Sequence, residues 1–206
     1  PGHSARDTFA MLEKHNINME PKSFAVGVRV EHPQTMINQD LYGEPENDRL
    51  GASSYKVTHT LENGRGVYSF CMCPGGQVVA AASEEGGVVV NGMSMFKRDS
   101  GIANSALVVN VSPDDFGNDP LAGVEFQRKY ERLAFAYGGK NYYAPAQNVA
   151  SFLAQTEPLL KTMVNASYRP GITACDLDKV LPRYVTDTLR LGIQSFGRKL
   201  TGYDDG

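Results

Sequence analysis

Two thiols stand one residue apart in Cys71-Met-Cys-Pro-Gly-Gly76, and Cys175 is the remaining cysteine of the 206 residues. In a regular strand Cys71 and Cys73 share a face, because side chains alternate. A disulfide between them would close a small, strained ring. The stronger redox signature, Cys-x-x-Cys at a helix start, is absent. Zinc would need two further ligands at motif spacing, and none of the four histidines supplies that pattern, so no metal site is expected. Cys71 and Cys73 are therefore the catalytic candidates, as a thiol pair, as the lining of a cofactor or substrate pocket, or as small apolar strand residues. Pro74-Gly75-Gly76 is a different feature. Two glycines after a strand let the backbone turn sharply and approach a neighbour or ligand closely.

A second group with chemical capacity is Gly2-His3-Ser4-Ala5-Arg6-Asp7. Ser4 has the type of a helix N-cap, and Asp7 three residues on makes a variant capping box. Free N–H groups, the positive dipole end and the Arg6 guanidinium together suit an anion such as a phosphate. The plainer reading is simple capping with Arg6 in solvent. His59 falls on an apolar strand face, where a satisfied core histidine is the ordinary outcome. Glu125, Arg128, Lys129 and Arg132 read as a solvated helix face with Glu125 reaching Lys129. Gly64-Arg-Gly-Val-Tyr-Ser69 starts like a dinucleotide loop but has Ser69 where the third glycine belongs. No Walker A, Gly-x-Ser-x-Gly or His-Glu-x-x-His motif occurs.

The elements that must position these groups change character along the chain. A helix is expected from about Ala5 to His15. Phe24, Val26, Val28 and Val30 alternate with Gly27, Arg29 and Glu31, the pattern of a half-buried strand. "QTMINQDLYG" suggests a helical turn or two stopped by Gly43. Between Tyr55 and Val111 the segments "YKVTHTLE", "GVYSFCMC", "QVVAAAS", "GVVVNGMS" and "SALVVNV" read as strands of an antiparallel sheet. From about residue 119 to 200 the period becomes helical. Phe126, Tyr130, Leu133 and Tyr137 recur on one face before Gly138-Gly139, and a second helix runs through "QNVASFLAQ". A third has Thr173 as N-cap and Asp176 at N3, with a kink or break at Pro182. The expected fold is a single α+β domain. Its mainly antiparallel sheet occupies about 24–111, with helices at the N-terminus and in the last third. The composition is 41% hydrophobic and 21% charged, which places the chain among ordinary globular proteins. A net charge of −3, with both signs evenly spread, gives no footprint for nucleic acid or a membrane surface. Three cysteines are a poor disulfide framework, and no apolar signal-peptide core opens the chain, so a cytoplasmic setting is expected. Pro1 at one end and "TGYDDG" at the other suggest a piece of something longer.

Read in order, "GHSARDTF", "FAVGVRVEHPQ", "FCMCPGGQVV", "SEEGGVVVNGMS" and "ANSALVV" closely resemble the middle of the bacterial FAD-dependent dehydrogenases, relatives of the glutathione-reductase-like flavoproteins. The similarity runs from Gly2 to about Leu153 and weakly beyond. Members of that family are longer, with a Rossmann-type segment for the FAD pyrophosphate and a second flavin-contacting segment; neither is in this sequence. The resemblance implies a central, substrate-side domain whose partner is the FAD-binding domain of the parent chain, with an unassigned small-molecule substrate. FAD is implied for the parent, none for this chain alone. In the parent, Cys71 and Cys73 would lie beside the flavin or substrate. Gly2, His3, Ser4, Arg6, Pro74, Gly75 and Gly76 would contact the cofactor. The alternatives are a non-catalytic binding module and a thiol-redox protein using Cys71 and Cys73.

Overall fold

A computed structural model of the chain describes residues 2–47, 49–161 and 164–205. The architecture is α+β, as expected from the sequence. A four-stranded antiparallel sheet has the order β1-β6-β3-β2. Its strands are β1 (Phe24–Pro33), β2 (Thr58–Thr60), β3 (Gly66–Cys73) and β6 (Ile102–Val111). β1 and β6 pair over ten residues without interruption, from Phe24↔Val111 to Pro33↔Ile102. The hairpin β4 (Gly76–Ala80) and β5 (Val90–Ser94) packs beside β1, β3 and β6. A short parallel pair joins β7 (Ala144–Ala146) to β8 (Ile172–Ala174).

One face of the main sheet is covered by α6 (Arg183–Gly197). Val185, Leu189, Ile193 and Phe196 recur at helical spacing and bury against Val30, Val67, Leu107 and Val109. Gly192 permits this contact, because a Cβ there would stand 2.5 Å from Val67 Cγ1. The remaining helices are α1 (Arg6–Lys14), α2 (Gln34–Tyr42), α3 (Pro113–Phe116), α4 (Ala122–Tyr137) and α5 (Val149–Ala154). Gly43 ends α2 in the left-handed region, at φ 80°.

Several local expectations change. Ser4 does not cap α1: Ala5 occupies the N-cap position, and no side chain caps it. A preceding turn, in which Ala5 N–H donates to the Gly2 carbonyl at 3.0 Å, moves the helix start past Ser4. In "YKVTHTLE" only Thr58–Thr60 is strand, although Tyr55 and Val57 are buried. His59 in that strand is half-buried. Thr173 lies in β8 rather than at a helix start. Asp176 instead caps a 3₁₀ turn over Leu177–Lys179, and the break at Pro182 leaves α6 to begin at Arg183. On α4, Glu125 pairs with Arg128 at 2.5 Å, one turn away at i,i+3.

Candidate functional site: a strained bulge, a closed ion network and an apolar cavity

The Cys71–Cys73 segment is not regular strand. β3 pairs with β6 from Val67↔Val109 to Phe70↔Ala106, then resumes at Cys73↔Asn104, one residue out of register. This is a β-bulge, and Cys71 within it has φ 47°, unusual for a residue with a side chain. The bulge breaks the alternation, so the shared face expected of the two thiols is lost: Cys71 is exposed and Cys73 is buried. All three cysteines are free thiols. Burial pushes the Cys73 thiol up, although the Arg29 guanidinium pulls the other way. A resting thiolate at Cys73 is disfavoured, which counts against the thiol-redox alternative.

Arg29, on β1, holds the bulge. Both of its terminal nitrogens lie 3.3 Å from the Cys71 carbonyl oxygen, and Nη1 also donates to Asn104 Oδ1 at 2.5 Å. Cys73 Sγ is 3.9 Å from Nη1. Gly92 leaves room for the guanidinium, since a Cβ there would sit 1.9 Å from Nη1. Pro74–Gly75 is the turn joining β3 to β4. Gly75 has φ 51°, its N–H donates to Gln34 Oε1 at 2.8 Å, and a Cβ would fall 1.7 Å from the Arg98 carbonyl oxygen. A Cβ on Gly76 would meet the Met93 carbonyl oxygen at 2.5 Å. The close approaches these glycines allow are therefore to the protein's own 93–98 segment. Phe70 on β3 and Met93, Met95 and Phe96 in and just after β5 are exposed, Phe96 fully so.

The N-terminal group folds inward. Arg6 is 4% exposed. It donates to Glu131 at 2.6 Å and to Glu84 at 2.7 Å, and its Nη2 lies 2.9 Å from His3 Nε2. His3 Nε2 is also 2.7 Å from Glu131 Oε1. Arg128 closes the network on Glu84 at 2.8 Å. Burial lowers the Arg6 pKa, but its hydrogen bonds to the Glu131 and Glu84 carboxylates outweigh it and the net shift is upward. Hydrogen bonds from Arg128, with Arg6 beside them, hold the Glu84 carboxyl down at about 2. Arg6 thus faces neither solvent nor a free anion site; two carboxylates already take its charge. Ser4 and Gly2 are exposed, and nothing lies within 4 Å of where a Gly2 Cβ would stand.

Beside β1 lies a cavity of about 590 Å³, walled by Phe24, Val28, Tyr130, Ala134, Phe152 and Tyr168 among others. Glu31 lines it and accepts hydrogen bonds from both the hydroxyl and the main-chain N–H of Ser167, the latter at 3.3 Å. Burial pushes the Glu31 carboxyl up against these bonds. Ser167 also receives the Val78 N–H at 2.7 Å, tying its segment to β4. Among the described residues, no three His, Cys, Asp or Glu side chains are grouped to hold a metal ion, and no helix is long and apolar enough to cross a membrane.

Sequence reasoning missed Arg29, Asn104, Glu84 and Glu131. Arg29 and Glu31 carried a visible signal as charges on the polar face of an otherwise apolar strand. Glu84 and Glu131 carried none, because their partner Arg6 lies 78 and 125 residues away.

A protein of Clostridium beijerinckii, described as "Uncharacterized protein", is 53% identical over 205 residues, covering 98% of this chain and 38% of that one. The chain thus spans under two fifths of that relative's length. A family of FAD-dependent proteins matches residues 23–206, leaving α1 outside the match. With its sheet, bulge and closing helix α6 inside the matched region, the chain belongs to the family described as "FAD-dependent protein, C-terminal domain-like".

Proposed function

We propose that this chain is the substrate-side domain of an FAD-dependent oxidoreductase, and that the flavin-binding part of the longer protein sits on the face around Cys71. The observation that carries this reading is the exposed Cys71 on the bulge of β3, with the exposed Phe70 next to it in the chain and the exposed Met93, Met95 and Phe96 in the neighbouring β5 segment, which packs on Pro74–Gly76. A contiguous exposed apolar patch marks an interaction surface. Backbone held at an uncommon φ concentrates at functional sites. Pro74, Gly75 and Gly76 support that face from below, with Ser94 Oγ donating to the Pro74 carbonyl at 2.8 Å.

The residues present do not form a pyrophosphate cradle. The one helix start read as an anion site has its arginine taken by Glu131 and Glu84. Holding FAD accordingly falls to the rest of the longer protein, and this chain alone is expected to purify colourless. Three free thiols agree with a reducing, cytoplasmic setting.

Thiol accessibility tests the reading. N-ethylmaleimide should modify Cys71 rapidly in the 206-residue chain and slowly in the full-length flavoprotein, followed by mass spectrometry. Met95→Asp in the full-length protein should impair flavin reduction. Equal labelling in both forms, with flavin reduction untouched by Met95→Asp, would leave the binding-module reading in its place.

A further inference from the structure

We infer that the cavity beside β1 is a binding site for a neutral, largely apolar small molecule bearing one hydroxyl or carbonyl end. Its volume of about 590 Å³ lies in the range of small-ligand pockets. Apolar side chains make most of the wall, among them valines, phenylalanines and alanines of β1, β5, α4, β7 and α5, and such a wall favours apolar surface removed from water.

Charge decides the rest. Among the described residues the wall holds one Lys or Arg, Arg29, and the imidazoles of His3 and His32, against two carboxylates, Glu31 and Glu131; His3 Nε2 is already taken by Glu131 at 2.7 Å and His32 Nε2 by the Tyr203 carbonyl at 2.9 Å. Arg29 directs its terminal nitrogens to the Cys71 carbonyl and to Asn104. An anionic head group would meet two carboxylates and a guanidinium already engaged, so fatty-acid carboxylates and phosphates are poor occupants. The polar groups left over are neutral. Gln127 and Tyr130 stand one turn apart on α4, on the same side of the helix, and both line the cavity. Neither side chain makes a hydrogen bond to another described residue, which leaves an amide and a phenol for a carbonyl or hydroxyl. The strand edge adds neutral donors and acceptors of its own. β1 ends the sheet, and Gln34 N–H continues the ladder to the Gly101 carbonyl at 2.8 Å. By the alternation of an antiparallel ladder, Ala25, Gly27, Arg29 and Glu31 therefore turn their main-chain groups away from β6.

This assignment stands apart from the flavin reading: a protein that binds the probe without supporting flavin chemistry keeps the first and loses the second. The test is a fluorescence titration of the purified protein with the neutral probe N-phenyl-1-naphthylamine, followed by displacement with dodecanol or dodecanoate. Saturable one-to-one binding is expected, with dodecanol displacing the probe about tenfold more effectively than dodecanoate. Ala134→Phe on α4 and Ala146→Leu on β7 fill the cavity from different elements. Each should weaken probe binding by about tenfold or more, and a melting curve on each variant identifies the one that stays folded. Tyr130→Phe should weaken dodecanol more than the probe. The assignment is overturned by absence of saturable binding, by a folded cavity-filling variant that binds as wild type, or by dodecanoate matching dodecanol. Displacement by an alternating Val-Thr peptide in preference to dodecanol would make the β1 edge a strand-pairing site and overturn it equally.

Discussion

Arg6 is buried and Arg29 half-buried, and their surroundings differ in kind. Arg6 sits between the carboxylates of Glu131 and Glu84, with Arg128 completing the network. Arg29 is held by the carbonyl of Cys71 and the amide oxygen of Asn104, and forms no ion pair among the described residues. In the first region every charge is balanced, and the product is an anchor joining the N-terminal segment, the 82–87 loop and α4. In the second, a cation spends its hydrogen bonds on a backbone that would otherwise relax, and the product is a held bulge with a thiol and bare apolar side chains on display. Residue types with equal capacity for chemistry thus divide by what their partners leave unspent.

Breaking the anchor should cost most. Glu131→Ala leaves Arg6 buried with Glu84 as its single carboxylate. Removing one partner of a buried ion pair costs about 3–5 kcal/mol, and the surviving Glu84 contact places the expected loss at about 3 kcal/mol, the lower end of that range. Urea denaturation of the variant beside wild type measures it. A loss under about 0.5 kcal/mol, the level of an ordinary surface substitution, would show that the network is solvated and that Arg6 is available to an anion after all.

The bulge should respond less. Arg29→Met removes the donors to the Cys71 carbonyl and to Asn104 while keeping an unbranched apolar stem. Hydrogen bonds from charged groups contribute about 1.5–3 kcal/mol, so a loss of about 2 kcal/mol is expected. The distinguishing readout is Cys71 alkylation, which should change because the backbone that presents the thiol is no longer held. Arg6→Met should leave the alkylation rate alone. If both variants alter it equally, the two regions are one cooperative unit and the contrast between them fails.

Acid should separate the two regions again. The Glu84 carboxyl is held at about 2, below its ordinary 4.5. A depressed carboxyl contributes stability that is fully present above about 4.5 and is lost as pH falls through about 2. The melting temperature of wild type should therefore fall over that window more steeply than that of Glu84→Gln. The difference should be modest, since the Glu84 side chain is 30% exposed and solvent screens it. Parallel curves for the two proteins would remove Glu84 from the anchor.

How far these regions could be read beforehand follows from the range of the forces that make them. β1 and α4 were legible because alternation or helical period is written into neighbouring residues, as in Phe24, Val26, Val28 and Val30, whereas of α2 only the stop at Gly43 was plain. The break before α6 was legible at Pro182. The anchor was not, because the turn over Gly2–Ala5 and the ion pairs from Arg6 depend on residues brought from elsewhere in the chain. The bulge was hidden for another reason. One extra residue in β3 leaves the local composition of a strand unchanged, yet it separates two thiols that alternation would put on one face. Pro74, Gly75 and Gly76 gave a true signal of close approach, but the partner was the protein's own 93–98 segment. Tyr55 shows the converse: a strand-like pattern can mark burial outside the strand, while the neighbouring Val57 still takes the Ser69 N–H in the β2–β3 register.

The smallest expected effect sharpens the contrast most. Phe96 is fully exposed, two residues past the end of β5. A fully exposed side chain contributes little packing to its own fold, so Phe96→Ser should change the stability of this chain by no more than about 0.5 kcal/mol. The same substitution acts differently if a second surface normally covers the ring. Fully burying a phenylalanine is worth about 1.5–3 kcal/mol, and aromatic side chains are enriched where interfaces concentrate their energy. In the full-length flavoprotein Phe96→Ser should therefore lower the melting temperature and raise the rate of Cys71 alkylation, while the isolated chain shows neither change. Measuring both forms side by side separates a residue that supports this fold from one kept for a partner. A loss of stability in the isolated chain equal to that in the full-length protein would assign Phe96 to the fold itself and leave the bulge without a partner.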